Sequence, residues 1–240
     1  MKRILLIALF SVSIFTSCHH IMKDKVRGNG TIKVENRTAG TFTGVDVGGN
    51  IDLYVKQDSS RSVRIEADEN LMQYIEVKME GEKLVIQPKD GYNLSGSKHI
   101  KVYVSSPVFR ELEASGACDI IGETVLSTTD EIRIDISGAS NAELELKAPK
   151  VSADITGASS LKLKGQTKDL NIEGTGASHA KCYELLSENA DVDVTGASSA
   201  EVYASVKLNA DASGASDVRY KGNATINQSV SGAGSVKKSE

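Results

Sequence analysis

The chain has 240 residues, of which 40% are hydrophobic, 25% charged and 5% aromatic, with no Trp and a formal charge of −4 at pH 7. That acid excess excludes a nucleic-acid-binding role, which needs a basic face. The scarcity of aromatic residues argues against a large aromatic core, and three cysteines are too few for a disulfide-built scaffold.

The N-terminus opens with Lys2 and Arg3, continues with an apolar run from Ile4 to Phe15, and reaches Ser17 and Cys18. The run is too short to cross a bilayer, so it reads as a secretion signal. Phe15-Thr16-Ser17-Cys18 resembles a bacterial lipobox. The resemblance implies removal of residues 1–17 and lipidation of Cys18, which would hold the chain on a membrane surface. Ordinary secretion with an unmodified or disulfide-bonded Cys18 is the alternative. Loss of Lys2 and Arg3 takes the formal charge from −4 to about −6. His19 stands where an aspartate would retain some lipoproteins at the inner membrane, so an outer-membrane lipoprotein is expected, on a side the sequence leaves open. Residues 18–38 are polar, carry Gly28-Asn29-Gly30, and read as a tether. His19 and His20 read as polar tether residues, not metal ligands.

Residues 39–237 read as one β domain, with an irregular part over 39–110 that caps a regular part over 111–237. In the first part, Val45, Val47, Leu53 and Val55 alternate about Gly49. Further strands are expected at SVRIEA, IEVKM, KLVIQP and HIKVYVSS, a tight turn at Glu80–Lys83, and one helical turn within DENLMQY. From residue 115 one tetrapeptide recurs: SGAC, SGAS, TGAS, TGAS, TGAS, SGAS, SGAG, with glycines at 116, 138, 157, 176, 196, 214 and 232. Mostly aliphatic residues sit two, four and six positions before the glycines and four and six after them, with Gly174 and Gln228 among the exceptions. Asp, Glu, Lys, Ser and Asn fill the places between. A period of two marks half-buried strands. A unit of about 19 residues cannot bury its own apolar face, whereas stacked copies share a continuous core. The expected fold is therefore all-β: a single-stranded parallel β-helix, or β-solenoid, with coils of 18 to 22 residues stacked about 4.8 Å apart. Glycine supplies the corner's unusual backbone angles or close approach. The serines at 140, 159, 178, 198 and 216 are expected to form hydroxyl ladders between coils.

GTFTGVDVGGNIDLYVKQ, ADENLMQYIEVKMEGEKLVIQPK, KVYVSSPVFRELEASGACDI and the (Ser/Thr)-Gly-Ala string together resemble the GIN-domain family, head domains of auto-transporter adhesins common in lipoproteins of Bacteroidetes. The resemblance spans nearly all of the chain after Cys18. It implies a right-handed parallel β-helix, a role in cell adhesion and no established catalytic residues.

Three positions before all but the last of these glycines lies an acidic residue: Glu113, Asp135, Asp154, Glu173, Asp193 and Asp211. One coil spacing apart, two such charges repel by roughly 0.9 kcal/mol in water. A hard cation such as Ca²⁺ would relieve this; the simpler reading is a solvated face screened by salt. The same acids could serve a polysaccharide lyase or glycosidase, but they form a line, not a pocket, so a non-enzymatic role is expected. Tyr183 and Tyr203 fall at the same repeat position and could pair as a surface recognition site. Cys118 and Cys182 read as small buried hydrophobes. The partners expected are a membrane through the lipid, and a glycan or a protein. Open solenoid ends leave room for homo-oligomers. A periplasmic envelope protein that binds a partner is the alternative function.

Overall fold

The computed structural model describes residues 24–240. The all-β solenoid expected from the repeat is the observed fold. In chain order the strands are β1 (Asp24–Arg27), β2 (Ile32–Arg37), β3 (Gly44–Gly49), β4 (Ile51–Gln57), β5 (Ser62–Asp68), β6 (Ile75–Glu80), β7 (Lys83–Pro88), β8 (Tyr92–Ser95) and β9 (Ile100–Ser106). They continue with β10 (Glu111–Gly116), β11 (Asp119–Gly122), β12 (Leu126–Ser127), β13 (Glu131–Ile136), β14 (Asn141–Ile155), β15 (Ser160–Gly176), β16 (His179–Gly196), β17 (Ser199–Gly214), β18 (Asp217–Lys221), β19 (Thr225–Val230) and β20 (Ser235–Lys238). One 3-10 helix, Glu69–Tyr74, forms at the expected helical turn. Cys18 lies outside the described residues. Among the described residues no helix is long and apolar enough to cross a membrane.

The repeat glycines stack in register. Gly116 pairs with Gly49, so the isolated alternation seen around Gly49 is the first coil of the same column. At each corner the alanine N–H donates to the carbonyl of the glycine one coil earlier: Ala117 to Gly49, Ala139 to Gly116 and Ala158 to Gly138, each at 2.8 Å. The corner needs glycine twice over. Gly157 has φ +77°, and a Cβ there would lie 2.5 Å from the carbonyl oxygen of Gly138. Val151, Ala153, Ile155, Leu161 and Leu163 of one coil are buried, as the alternation requires. A second, polar ladder runs inside. Ser140, Ser159, Ser178, Ser198 and Ser216 are buried. The Ser140 N–H donates to Ser159 Oγ at 3.4 Å, and Ser178 Oγ to Ser198 Oγ at 3.1 Å. Each inward hydroxyl thereby satisfies a neighbour's polar group in the dry interior. Cys118 takes the serine place in its coil and is buried.

The irregular first part caps the rod, though it is not simply a start. After β4 the chain leaves the stack. β7 and β9 pair parallel with the outer edge of the first coil, at β3 and β4. β2, β5 and β6 then add antiparallel strands outside them. The chain returns at β10 to the opposite edge of the first coil. The cap is thus inserted between the first two coils of the column. The turn expected at Glu80–Lys83 joins β6 and β7 as an antiparallel hairpin.

Two expectations are corrected. The tether assigned to residues 18–38 is folded from Asp24 onward, because β1 pairs with β8 and β2 with β5. The buried Asp68 carboxylate holds this segment: it accepts from the Gly30 N–H at 2.6 Å, from the Ser97 N–H at 2.8 Å and from Ser97 Oγ at 2.7 Å. Burial alone would raise this carboxyl, but the Ser97 and Gly30 donors outweigh it and hold it below its usual range. In the last coil, Gln228 and Val230 occupy core-facing places yet are exposed, because among the described residues no further coil covers them.

Gly157→Ala is expected to cost about 3 kcal/mol, combining left-handed backbone strain with the carbonyl clash, and so to lower the melting temperature by about 6–12 °C. Gly81→Ala, at φ +63° with nothing near its Cβ, is expected to cost only about 1 kcal/mol. Equal losses in thermal melts would refute the close-packed corner.

Candidate functional site

Because the register is continuous, every outward position becomes a row along the rod. The acidic row forms as expected: Glu113 faces Asp135, Asp135 faces Asp154, and Glu173, Asp193 and Asp211 follow. Asp46 of the first coil extends it, opposite Glu113. The two ends differ. Asp154, Glu173, Asp193 and Asp211 are exposed, whereas Asp46, Glu113 and Asp135, toward the cap end, are half-buried.

At the buried end Glu111, Glu113 and Asp135 bring carboxylate oxygens within 4.8 Å of one another. A counter-charge is supplied from the cap: Lys83 Nζ lies 3.2 Å from Glu111 and also contacts Glu113. The Glu113 contact, with help from Glu111, raises the Lys83 ammonium above its usual range. Burial, with help from Glu111, raises Glu113 despite that lysine. Burial also raises Asp46. Asp135 is pushed up to about 6 by burial, by its hydrogen bond with Asp154 and by the charges of Asp154, Glu113 and Glu111. The stretch can therefore take up protons at mildly acidic pH.

The remaining rows carry polar and charged side chains, several of them linked from coil to coil. Asn141 Nδ2 donates to Asp119 Oδ1 at 2.8 Å. His179 and Ser199 meet at 2.7 Å, and Thr195 and Ser213 at 2.8 Å. Lys162 bridges to Glu143 at 2.8 Å. Burial pushes the Cys182 thiol up to about 12, so it is inert at neutral pH.

Tyr183 and Tyr203 do not pair. The register slips between Cys182 and Leu186, so Leu186 lies opposite Tyr203. Tyr183 instead bonds Ser239 Oγ at 2.7 Å, with Lys221 Nζ 5.3 Å from its ring centre. The corner residues between 182 and 186 outnumber those of the next coil, and equal spacing from the glycines cannot reveal that bulge. The stacked tyrosines are elsewhere. Tyr54 and Tyr103 lie opposite each other on β4 and β9, with ring centres 4.7 Å apart and planes 18° from parallel. The Arg64 guanidinium lies 3.9 Å from the Tyr103 ring centre. Beside Tyr54, the Asp52 carboxylate meets His99 Nδ1 at 3.2 Å. The sequence did carry one signal of this face: Phe42, Tyr54, Tyr74, Tyr92, Tyr103 and Phe109 all fall in the cap and first coil.

Asp135→Asn tests the acidic row. A carboxyl with a folded pKa near 6 binds more protons folded than unfolded between about pH 4 and 6, so its contribution to stability falls as pH rises through that window. The variant is expected to melt about 2–4 °C higher at pH 8, from roughly 1 kcal/mol after allowance for partial exposure, and no higher below pH 4. A gain of equal size at both pH values would refute the raised carboxyl.

Comparison with known proteins agrees with the architecture. Residues 41–224 match the family described as "Putative auto-transporter adhesin, head GIN domain". No curated protein matches the sequence. The chain is similar in structure to a "putative adhesin" from Bacteroides fragilis NCTC 9343, with TM-score 0.82 and 20% identity over 89% of this chain and 99% of that one. It is similar also to a "putative adhesin" from Parabacteroides distasonis ATCC 8503, with TM-score 0.72 and 25% identity over 90% of this chain and 100% of the other. A third solved structure, a "Putative lipid binding protein" from the same Parabacteroides strain, has TM-score 0.75 and 21% identity over 90% of this chain and all of its own. The glycine corners, the stacked outward rows and the family match over residues 41–224 together place this chain in the GIN-domain family of auto-transporter adhesin heads.

Proposed function

We propose that the protein is a non-catalytic adhesion protein of the cell envelope, lipid-anchored through Cys18 at the outer membrane. The observation that carries this reading is the adhesin-head family match over residues 41–224. The physics of the fold supports it. Outward side chains are placed by coil register, and several are bonded to the next coil, as at Asp119–Asn141 and Thr195–Ser213. A surface ordered in advance loses little conformational entropy on binding. Lys83 supplies a counter-charge at the buried end of the acidic row, so on this reading that end needs no calcium.

The test is protease shaving of intact cells, followed by mass spectrometry of peptides from Lys162 to Lys181, with a periplasmic marker as control. Release from intact cells is expected, together with loss of the protein from the envelope in a Cys18→Ala strain. Protection until the outer membrane is opened would replace this reading with a periplasmic partner-binding role. Turnover of a polysaccharide that is abolished by Asp154→Asn combined with Asp193→Asn would overturn the non-catalytic assignment.

A further inference from the structure

On the outer surface of β4 and β9, a cleft of about 500 Å³ is lined by Asp52, Tyr54, Glu66, Lys98, His99 and Lys101, with the exposed Ile32 at its edge. That volume falls within the ordinary range of small-ligand sites. We propose that this cleft binds a neutral glycan through a pair of adjacent hydroxyls. The inference rests on the adhesion reading and gives it a ligand class and a location.

Four observations lead there. First, donors and acceptors alternate around an aromatic wall. The Asp52 side chain is only 12% exposed and forms the floor, while that of His99, at 69%, stands at the mouth and holds it. Lys101 Nζ lies 5.9 Å from the centre of the Tyr54 ring. A carboxylate that accepts from one sugar hydroxyl, beside an ammonium that donates to the next, matches a vicinal diol. Second, the groups have capacity to spare. Among the described residues the Asp52 carboxylate has His99 as its one hydrogen-bond partner, and Lys98 and Lys101 form no ion pair. Glu66 is already engaged by Arg64, at 4.0 Å.

Third, the geometry disfavours other ligands. The charges of Asp52 and Glu66 are balanced by those of Lys98 and Lys101, so the cleft has no net formal charge with which to select a phosphate, a sulfate or an acidic sugar. Both edges of β9 are taken, by β4 and β5, so an extended peptide finds no strand edge to join here. Fourth, the wall is rigid. Tyr54 is backed by Tyr103, and Tyr103 by Arg64, so its ring is set before a ligand arrives.

The experiment uses the full chain in detergent on an array of neutral and acidic oligosaccharides, followed by calorimetric titration of the strongest neutral probe. Retention of neutral hexose glycans is expected, weakened at least tenfold in Lys101→Ala and in Asp52→Asn, and unchanged in Tyr203→Ser. Thermal melts of each variant establish that it folds. The conservative Asp52→Asn keeps the shape of the floor while removing the charge. Undiminished binding in both cleft variants would overturn the proposal, as would retention of acidic glycans alone. If the protein adheres to cells while the array retains nothing, the cleft assignment falls and adhesion stands. Failure to adhere to cells, with glycan binding intact, would remove the adhesion reading instead.

Discussion

The structure depends on one contact repeated along the rod: an alanine N–H donating to the carbonyl of the glycine one coil before, at 2.7 or 2.8 Å. It fixes the axial step and the register together. With the register fixed, alternation within a strand becomes alternation between core and surface for the whole molecule. A side chain at the glycine would meet backbone, which cannot move aside as a flexible side chain can. The corner therefore constrains sequence more tightly than any core position. Core places accept Ala, Val, Leu, Ile and Cys in different coils, as expected where volume can be shared between neighbouring layers.

From that constraint follows the inner serine ladder. From Ser140 to Ser216 the position two after each corner glycine turns a serine inward, and a buried hydroxyl without a partner is costly. Stacking supplies the partner, since each coil places its own serine beside the next. Cys118 belongs to the same logic: at the cap end of the ladder its backbone N–H donates to Ser140 Oγ, while its own side chain needs less.

The regular part of the fold was legible because its period, its glycine and its acid all repeat. Local alternation then maps directly onto space. The acidic row followed from simple counting from each glycine. Legibility failed where residues far apart in sequence define the geometry. Nothing in VENRT marks Ile32–Arg37 as a strand; its partner β5 supplies the pairing, and Asp68 supplies the anchor. Tyr183 and Tyr203 share a count from their glycines, but a bulge between them breaks the correspondence. Tyr54 and Tyr103 share no repeat position, and they meet because β9 folds back along β4. The two ends also solve the edge problem differently. β2 and β6 carry Lys33, Glu35, Arg37, Glu76, Lys78 and Glu80 on the cap edges, a common defence against edge-to-edge pairing. At the other end β19 carries no charge, while β20 carries Lys237 and Lys238.

The insertion of the cap between the first two coils has a consequence for how such a chain can change. Closing the loop from Gly49 to Gly116 spans 67 residues, against 19 from Gly138 to Gly157. The logarithmic growth of closure entropy makes the longer loop dearer by only about 1 kcal/mol. A stack of coils can therefore hold a large excursion at small thermodynamic cost, provided that the two glycines still meet. The cap is free to drift in length and surface chemistry while the rod beneath it stays the same. Divergence among such heads would then concentrate in one loop of an otherwise conserved scaffold.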